Sequence, residues 1–255
     1  MSDEVLYLYA VTDSNIEDAE VIEMRAIDGA PVQVIAEAPV AAVVSAVDAE
    51  RFSESALRRG MEDLYWLEGI ARAHNAVVSD LARQRPVAPV RLATMFANIE
   101  NVRTLLRVRA EDFVAALDRI RGRCEWALKG FSVGTEPQPP TTGLPEALGP
   151  GRSYLQRRRA ERDSRDRRSQ EAVTEAEAVH DRLVQLTLAS RRYPPQDRRL
   201  SGQRDEMVLN SAYLLPEGFD TEIRRVVNEY DGVRLRLELT GPWAPYSFAT
   251  LESDQ

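Results

Sequence analysis

Few side chains here could do covalent or metal chemistry, and their spacing argues against most of it. The chain has one cysteine, Cys124, and two histidines, His74 and His180. A lone thiol forms neither an internal disulfide nor a multi-thiolate metal site, and two histidines make no histidine-rich one. His74 falls on the apolar stripe of a predicted helix that supplies it no partner ligand or base, so a packed, hydrogen-bonded histidine is expected. His180 adjoins a second apolar seam beside Asp181 and Arg182 and is read the same way. Cys124 lies in a predicted strand, as an inert buried thiol. Gly149-Pro150-Gly151 lacks the Lys-Ser/Thr of a phosphate-binding loop. No catalytic, cofactor-binding or metal-binding residue is therefore assigned. The candidates for interaction are Arg91, placed in a predicted strand where its charge needs a partner, and the aromatic residues Trp243, Tyr246 and Phe248.

Those aromatics sit in Thr240-Gly241-Pro242-Trp243-Ala244-Pro245-Tyr246-Ser247-Phe248. The block follows the alternating run Val233 to Leu239, a half-buried strand that Gly241 and Pro242 should end. Exposing three aromatics together would leave a large apolar patch. The segment therefore either packs back onto the protein or is held out for a partner. Its place after the last strand favours a lid over the second domain.

Arginine supplies nearly all the basic charge, since Lys129 is the only lysine, yet the net charge is −8. Arg157 to Arg168 read alone would suit phosphate. However, Arg157–Glu161, Glu161–Arg165, Arg162–Asp166 and Asp163–Arg167 are opposite charges four apart, the pattern of a solvated helix. The acidic net charge also counts against a general nucleic-acid binder.

Positioning these residues requires two mixed segments. The first fifty residues hold a strand at Val5–Val11, a second at Val21–Ile27 ended by Asp28-Gly29, and two more at Val32–Ala36 and Val40–Val47. From the N-cap Ser53 the period changes to that of one long helix, with Leu57, Met61, Leu64, Leu67, Ala71, His74, Val78 and Leu81 on its stripe. After Pro86 a strand is expected from Val90, then helices from the N-cap Asn98 to Gly122, and a strand from Cys124 with an irregularity at Gly130. Residues 134–151 are rich in Pro and Gly, as in a loop. A second long helix follows from about Ser153 to Ser190. Its seam of Ala172, Val173, Ala176, Val179, Leu183 and Leu186 could pack on the first long helix or on another chain. A strand at Asp205–Leu215, a helix carrying Phe219, Ile223, Val226, Val227 and Tyr230, and the final strand complete the pattern. The result is an α+β chain with domains at 1–121 and 122–255.

An apolar fraction of 44% and a charged fraction of 29% fit a soluble cytoplasmic protein. No window approaches the length of a membrane span. The acidic start, Met1-Ser2-Asp3-Glu4, lacks the basic region of a secretory signal.

Several blocks together resemble the gas vesicle protein F/L family. They are Tyr7-Leu8-Tyr9-Ala10-Val11, Pro89 to Phe96, Gly151-Arg152-Ser153-Tyr154-Leu155, Leu209 to Leu215, and Leu239 to Phe248, whose Gly-Pro-Trp-x-Pro-Tyr-x-Phe core is the most specific. Ala93 departs from the family pattern, which usually has Gly there. The resemblance implies two α+β domains, the second a modified ferredoxin-like fold, with the two long helices packed in coiled-coil manner. It also implies an accessory or minor structural protein of gas vesicle assembly, located with the vesicle in the cytoplasm. Its partners would be the shell protein and other accessory proteins, with no catalytic residues, no cofactor, no nucleic acid and no membrane. The alternatives are an enzyme that uses a carboxylate or Arg91 in a cleft between the domains, and an arginine-helix nucleic-acid binder.

Overall fold

The computed structural model describes residues 4–133, 150–196, 205–232 and 234–249. The chain divides into two compact units, Met1–Glu125 together with Trp243–Gln255, and Trp126–Pro242. The last block from Trp243 onward thus belongs to the first unit, and the expected lid over the second domain is corrected. The reason is burial: Ala244 lies in the apolar core of the first unit and Tyr246 packs against it.

In the first unit a sheet carries the strand order β2-β3-β1-β4, with β5 paired to β1. The strands are β1 (Glu4–Asp13), β2 (Gln33–Glu37), β3 (Val40–Asp48), β4 (Val87–Pro89) and β5 (Met95–Phe96). β1 runs antiparallel to β3, with a register shift between Leu8 and Ala10 that leaves Tyr9 as the extra residue of a bulge. Both central strands are buried along most of their length, as their unbroken apolar runs predict. The expected strand at Val21–Ile27 is instead a short helix, α1 (Asp18–Val21), and a 3₁₀ turn, Ile27–Gly29. Glu17 and Glu20 form a reciprocal capping box that starts α1, which decides the local structure.

The predicted single long helix is two, α2 (Glu54–Glu62) and α3 (Leu64–Ala82). Ser53 caps the first through the Ala56 N–H. The break falls at Asp63, whose carboxylate leaves the helix to accept from the Tyr65 and Trp66 N–H groups and restart it. Beyond the break the buried face is Ile70, His74, Val77, Val78 and Leu81, while Leu64 is 76% exposed. On the solvent side Glu54 pairs with Arg58 and Glu68 with Arg72, each one turn apart. α4 (Ile99–Val108), capped by Asn98, and α5 (Ala110–Ile120) close this unit's helices apart from the carboxyl-terminal turn.

The second unit follows the order β6 (Arg123–Ser132), α6 (Pro150–Val184), β7 (Ala189–Arg192), β8 (Met207–Pro216), α7 (Asp220–Tyr230) and β9 (Leu235–Trp243). Its strand order is β7-β8-β6-β9. The β-α-β-β-α-β succession with the first strand inside and the last at an edge is a ferredoxin-like arrangement. β6 is one continuous strand through Gly130. A Cβ there would lie 3.0 Å from Leu209 Cβ, so glycine serves close strand packing rather than a break. β9 likewise continues through Gly241 and Pro242 to Trp243, because a proline without N–H is tolerated on an edge strand.

α6 buries Ala172, Ala176, Val179 and Leu183, and its neighbours in the unit are β8 and α7. The seam that was expected to join the two long helices in coiled-coil manner is used inside the unit. α3 likewise spends its stripe on β1 and β4. The cause is that each sheet has an apolar face to cover. In the first half of α6, Arg158, Arg159, Arg162, Asp163, Asp166 and Arg167 are exposed, as a solvated helix requires. The side chains of Arg157, Glu161 and Arg165 lie outside the described residues, as do residues 134–149 of the predicted loop and Val233.

Candidate functional site

Of the four residues selected from the sequence, three lie in or beside the carboxyl-terminal block and two of these are built into the first unit. Phe248 is buried and Tyr246 is half-buried, both in α8 (Tyr246–Ala249), while Trp243, at the end of β9, remains 46% exposed. Arg91 is not in a strand. β4 stops at Pro89, and Arg91 is an exposed residue of the turn leading to β5. Ala93 holds this turn at φ 62°, a left-handed conformation that alternation of Val90, Arg91 and Leu92 does not reveal. Its carbonyl neighbour Arg91 accepts from Thr94 Oγ1 at 2.7 Å.

The block closes over a cluster of polar aromatics that sequence reasoning resolved only at His74. Tyr7 and Tyr9 project from β1, with ring centroids 4.8 Å apart. His74 on α3 meets both, at 5.7 and 5.6 Å, and Tyr246 from α8 lies 6.3 Å away on the same ring. Each hydroxyl is used. Tyr9 Oη lies 2.8 Å from Ser45 Oγ and accepts from the Ile27 N–H at 3.2 Å. Tyr7 Oη accepts from the Ala93 N–H at 2.9 Å and lies 3.1 Å from His74 Nδ1. Since Tyr7 already accepts from Ala93, it is assigned as the donor to Nδ1, which leaves the proton of a neutral imidazole on Nε2.

That nitrogen is buried and has, among the described residues, no partner of hydrogen-bonding geometry. Burial pulls the His74 pKa down to about 4, with the Val90 backbone opposing only in part. The same desolvation pushes Tyr7 up to about 12 and raises Tyr9 and Tyr246. All four groups are thus neutral at pH 7, a packed polar core rather than an acid–base pair poised for proton transfer.

Glu125, only 8% exposed, anchors the block from β6. The Ser247 N–H donates to Oε2 at 2.7 Å and the Ser247 hydroxyl to Oε1 at 2.6 Å. Arg119 Nη1 reaches the Phe248 carbonyl at 3.4 Å, and Tyr246 Oη donates to Asn75 Oδ1 at 3.4 Å.

The second unit carries a smaller counterpart. His180 on α6 lies 2.8 Å from Tyr213 Oη on β8, and burial lowers the His180 pKa and raises that of Tyr213. Arg192 grips Glu177 through two nitrogens, at 2.6 and 2.8 Å. The expected structural role of His180 is what the geometry supports. Cys124 is half-buried in β6 rather than fully buried.

Exposed apolar groups that patterning missed include Tyr65, 88% exposed beside Leu64 at the restart of α3, and Ile22, Ile99 and Val108 in the same unit. A groove of about 640 Å³ is lined by Asp28, Asp48, Glu50, Arg59, Asp63 and Trp66 among others, the last two flanking Leu64 and Tyr65 in the chain. Among the described residues no group of His, Cys, Asp and Glu is placed to hold a metal ion, and no helix is long and apolar enough to cross a membrane. The displaced carboxylates, Glu20 and Glu177, both have lowered pKa values. The largest causes are the Glu17 backbone for the first and Arg192 for the second, the direction of hydrogen bonding and ion pairing rather than of a general acid.

A family model described as gas vesicle synthesis protein GvpL/GvpF matches residues 5–250. Gas vesicle protein L of a Streptomyces species is 37% identical over 260 residues, covering 99% of this chain and 96% of that protein. Gas vesicle protein F1 of Halobacterium salinarum is 24% identical over 256 residues, covering 97% and 94%. Among solved structures, the gas vesicle protein GvpF of an Anabaena species superposes with a TM-score of 0.69 at 18% identity, over 99% of this chain and 98% of that one. The GvpF of Microcystis aeruginosa gives 0.66 at 20% identity, over 97% and 99%. At these identities the two structures bear on the fold alone.

Proposed function

The chain belongs to the gas vesicle synthesis protein GvpL/GvpF family, and from that premise we propose that it is a non-catalytic assembly factor for gas vesicles. It works through protein–protein contacts with the small hydrophobic shell protein and with other accessory proteins, in the cytoplasm and at the vesicle. The observation that carries this reading is the family match across residues 5–250, together with 37% identity to a gas vesicle protein L over nearly the whole chain.

Physical support comes from the surface. A factor that accompanies an aggregation-prone apolar subunit needs exposed apolar anchors with a polar rim. Leu64 and Tyr65 beside the groove of Asp48, Glu50 and Arg59 have that composition, and exposed Trp243 and Arg91 are further contact candidates. Co-purification tests the reading. Tagged full-length protein should retain the shell protein from cells that express the vesicle genes, and loss of that retention with Leu64→Ser plus Tyr65→Ser would locate the contact. A wild-type chain that retains none of the vesicle proteins contradicts the proposal.

A further inference from the structure

We propose that residues Trp243–Ala249 form an acid-releasable strap on the first unit, held closed by neutral His74 beneath it and by the Glu125 carboxylate beside it. The strap is short. Its attachments among the described residues include the two hydrogen bonds from Ser247 to Glu125, the Arg119 contact to the Phe248 carbonyl, the Tyr246–Asn75 hydrogen bond, and the apolar burial of Ala244 and Phe248. α8 itself has only four residues and no intrinsic stability.

One of the groups beneath the strap responds to acidification. His74, 3% exposed, already uses Nδ1 on Tyr7, and its second nitrogen faces no acceptor of adequate geometry. A second ring proton would displace the Tyr7 donor and place a positive charge in an apolar pocket, which is costly without a counter-ion. The groups around the ring are Tyr7 and Tyr9 from β1, Tyr246 from the strap and the Val90 backbone, and among the described residues burial and that backbone are what act on its protonation. Of these ring neighbours only Tyr246 stands on a segment that can leave without dismantling the sheet. Glu125 anchors the strap by accepting from Ser247 through both oxygens. Opening the strap gives the His74 ring access to water, so its protonation pulls the equilibrium toward the open form.

The size follows from linkage. With a closed-state pKa of about 4 and an open-state value near the ordinary 6.5, protonation of His74 raises the opening constant about 30-fold between pH 7.5 and pH 5. The sign is fixed because the closed-state value is depressed: the closed form is favoured above about 6.5 and loses its advantage as pH falls toward 4.

Hydrogen exchange of the full-length chain, read by mass spectrometry from pH 7.5 to 5 and corrected for intrinsic rates, tests this. The peptide covering 243–249 should lose protection by about that factor while β1 and β3 keep theirs. His74→Gln, which stays neutral and can still accept from Tyr7, should flatten the rise. In the wild-type chain, the His74 resonances should titrate over the same range as strap opening. The proposal is overturned if strap and sheet lose protection together, if His74→Gln leaves the rise intact, or if His74 titrates near its ordinary value with the strap still protected.

Discussion

The Ala93 N–H donates to Tyr7 Oη at 2.9 Å from a residue held at φ 62°, so a left-handed alanine supplies one of the hydrogen bonds that orient the buried tyrosine. An alanine Cβ in that region costs roughly 1–2 kcal/mol, against roughly 0.5–1 kcal/mol for the greater chain entropy of glycine. Ala93→Gly should therefore stabilise the protein by about 0.5–1 kcal/mol, visible as a higher urea midpoint with an unchanged slope. A lower midpoint would show that the turn does not need the left-handed conformation.

Gly60 and Trp66 set the angle between α2 and α3. A Cβ on Gly60 would meet the Trp66 ring at 2.6 Å, so the indole lies where a side chain would otherwise stand. Gly60→Ala should displace the indole and cost roughly 1–3 kcal/mol, as overpacking does. Trp66 fluorescence should shift to the red as the ring gains water. An unchanged spectrum and stability would mean that the contact is incidental.

The break at Asp63 was not legible in the sequence, and the reason is physical. Leu57, Met61, Leu64 and Leu67 keep the helical period straight through it, and only the choice of the Asp63 carboxylate between solvent and the N–H groups of Tyr65 and Trp66 ends one helix and starts another. By contrast, Ser53 and Asn98 were readable as caps because a small polar residue before an apolar stripe has few other uses. The element order of the second unit was also legible from its alternation and period, except for β7, which begins within the residues read as the end of the second long helix. The strap was not. A chain position after the last strand says nothing of which core has room for Ala244 and Phe248, and Glu125 as its anchor is separated from Ser247 by 122 residues. The Tyr7–Tyr9–His74 cluster was half visible, since His74 on an apolar stripe demanded a partner that only tertiary structure could name.

His180 and Tyr213 should contribute more than the ion pair beside them. Tyr213 is fully buried, whereas Arg192 and Glu177 are 42% and 44% exposed at the side chain. Tyr213→Phe should cost about 0.5–1.5 kcal/mol by leaving His180 without its partner, and Glu177→Gln between about 0 and 1 kcal/mol. Chemical denaturation of the two variants at pH 7.5 compares them directly. The order reverses if the exposed pair is the true tie between α6 and β7.

Ending the chain after Trp243 removes Ala244, Tyr246 and Phe248 from the first unit and leaves β9 whole. The loss of buried apolar surface and the orphaning of Glu125 together should cost about 4–6 kcal/mol, which lowers the stability of the first unit without dismantling its sheet. Thermal unfolding followed at the tyrosines should show a lowered transition for the shortened chain. A stable, unchanged first unit would mean that the block is ornament rather than structure.

The most direct measurement is made in the cell. Deleting the gene for this chain in the organism that carries it should leave few or no gas vesicles by electron microscopy and abolish buoyancy. The wild-type gene returned in trans should restore both. Vesicles of normal number and shape in the deletion strain would contradict the assembly role.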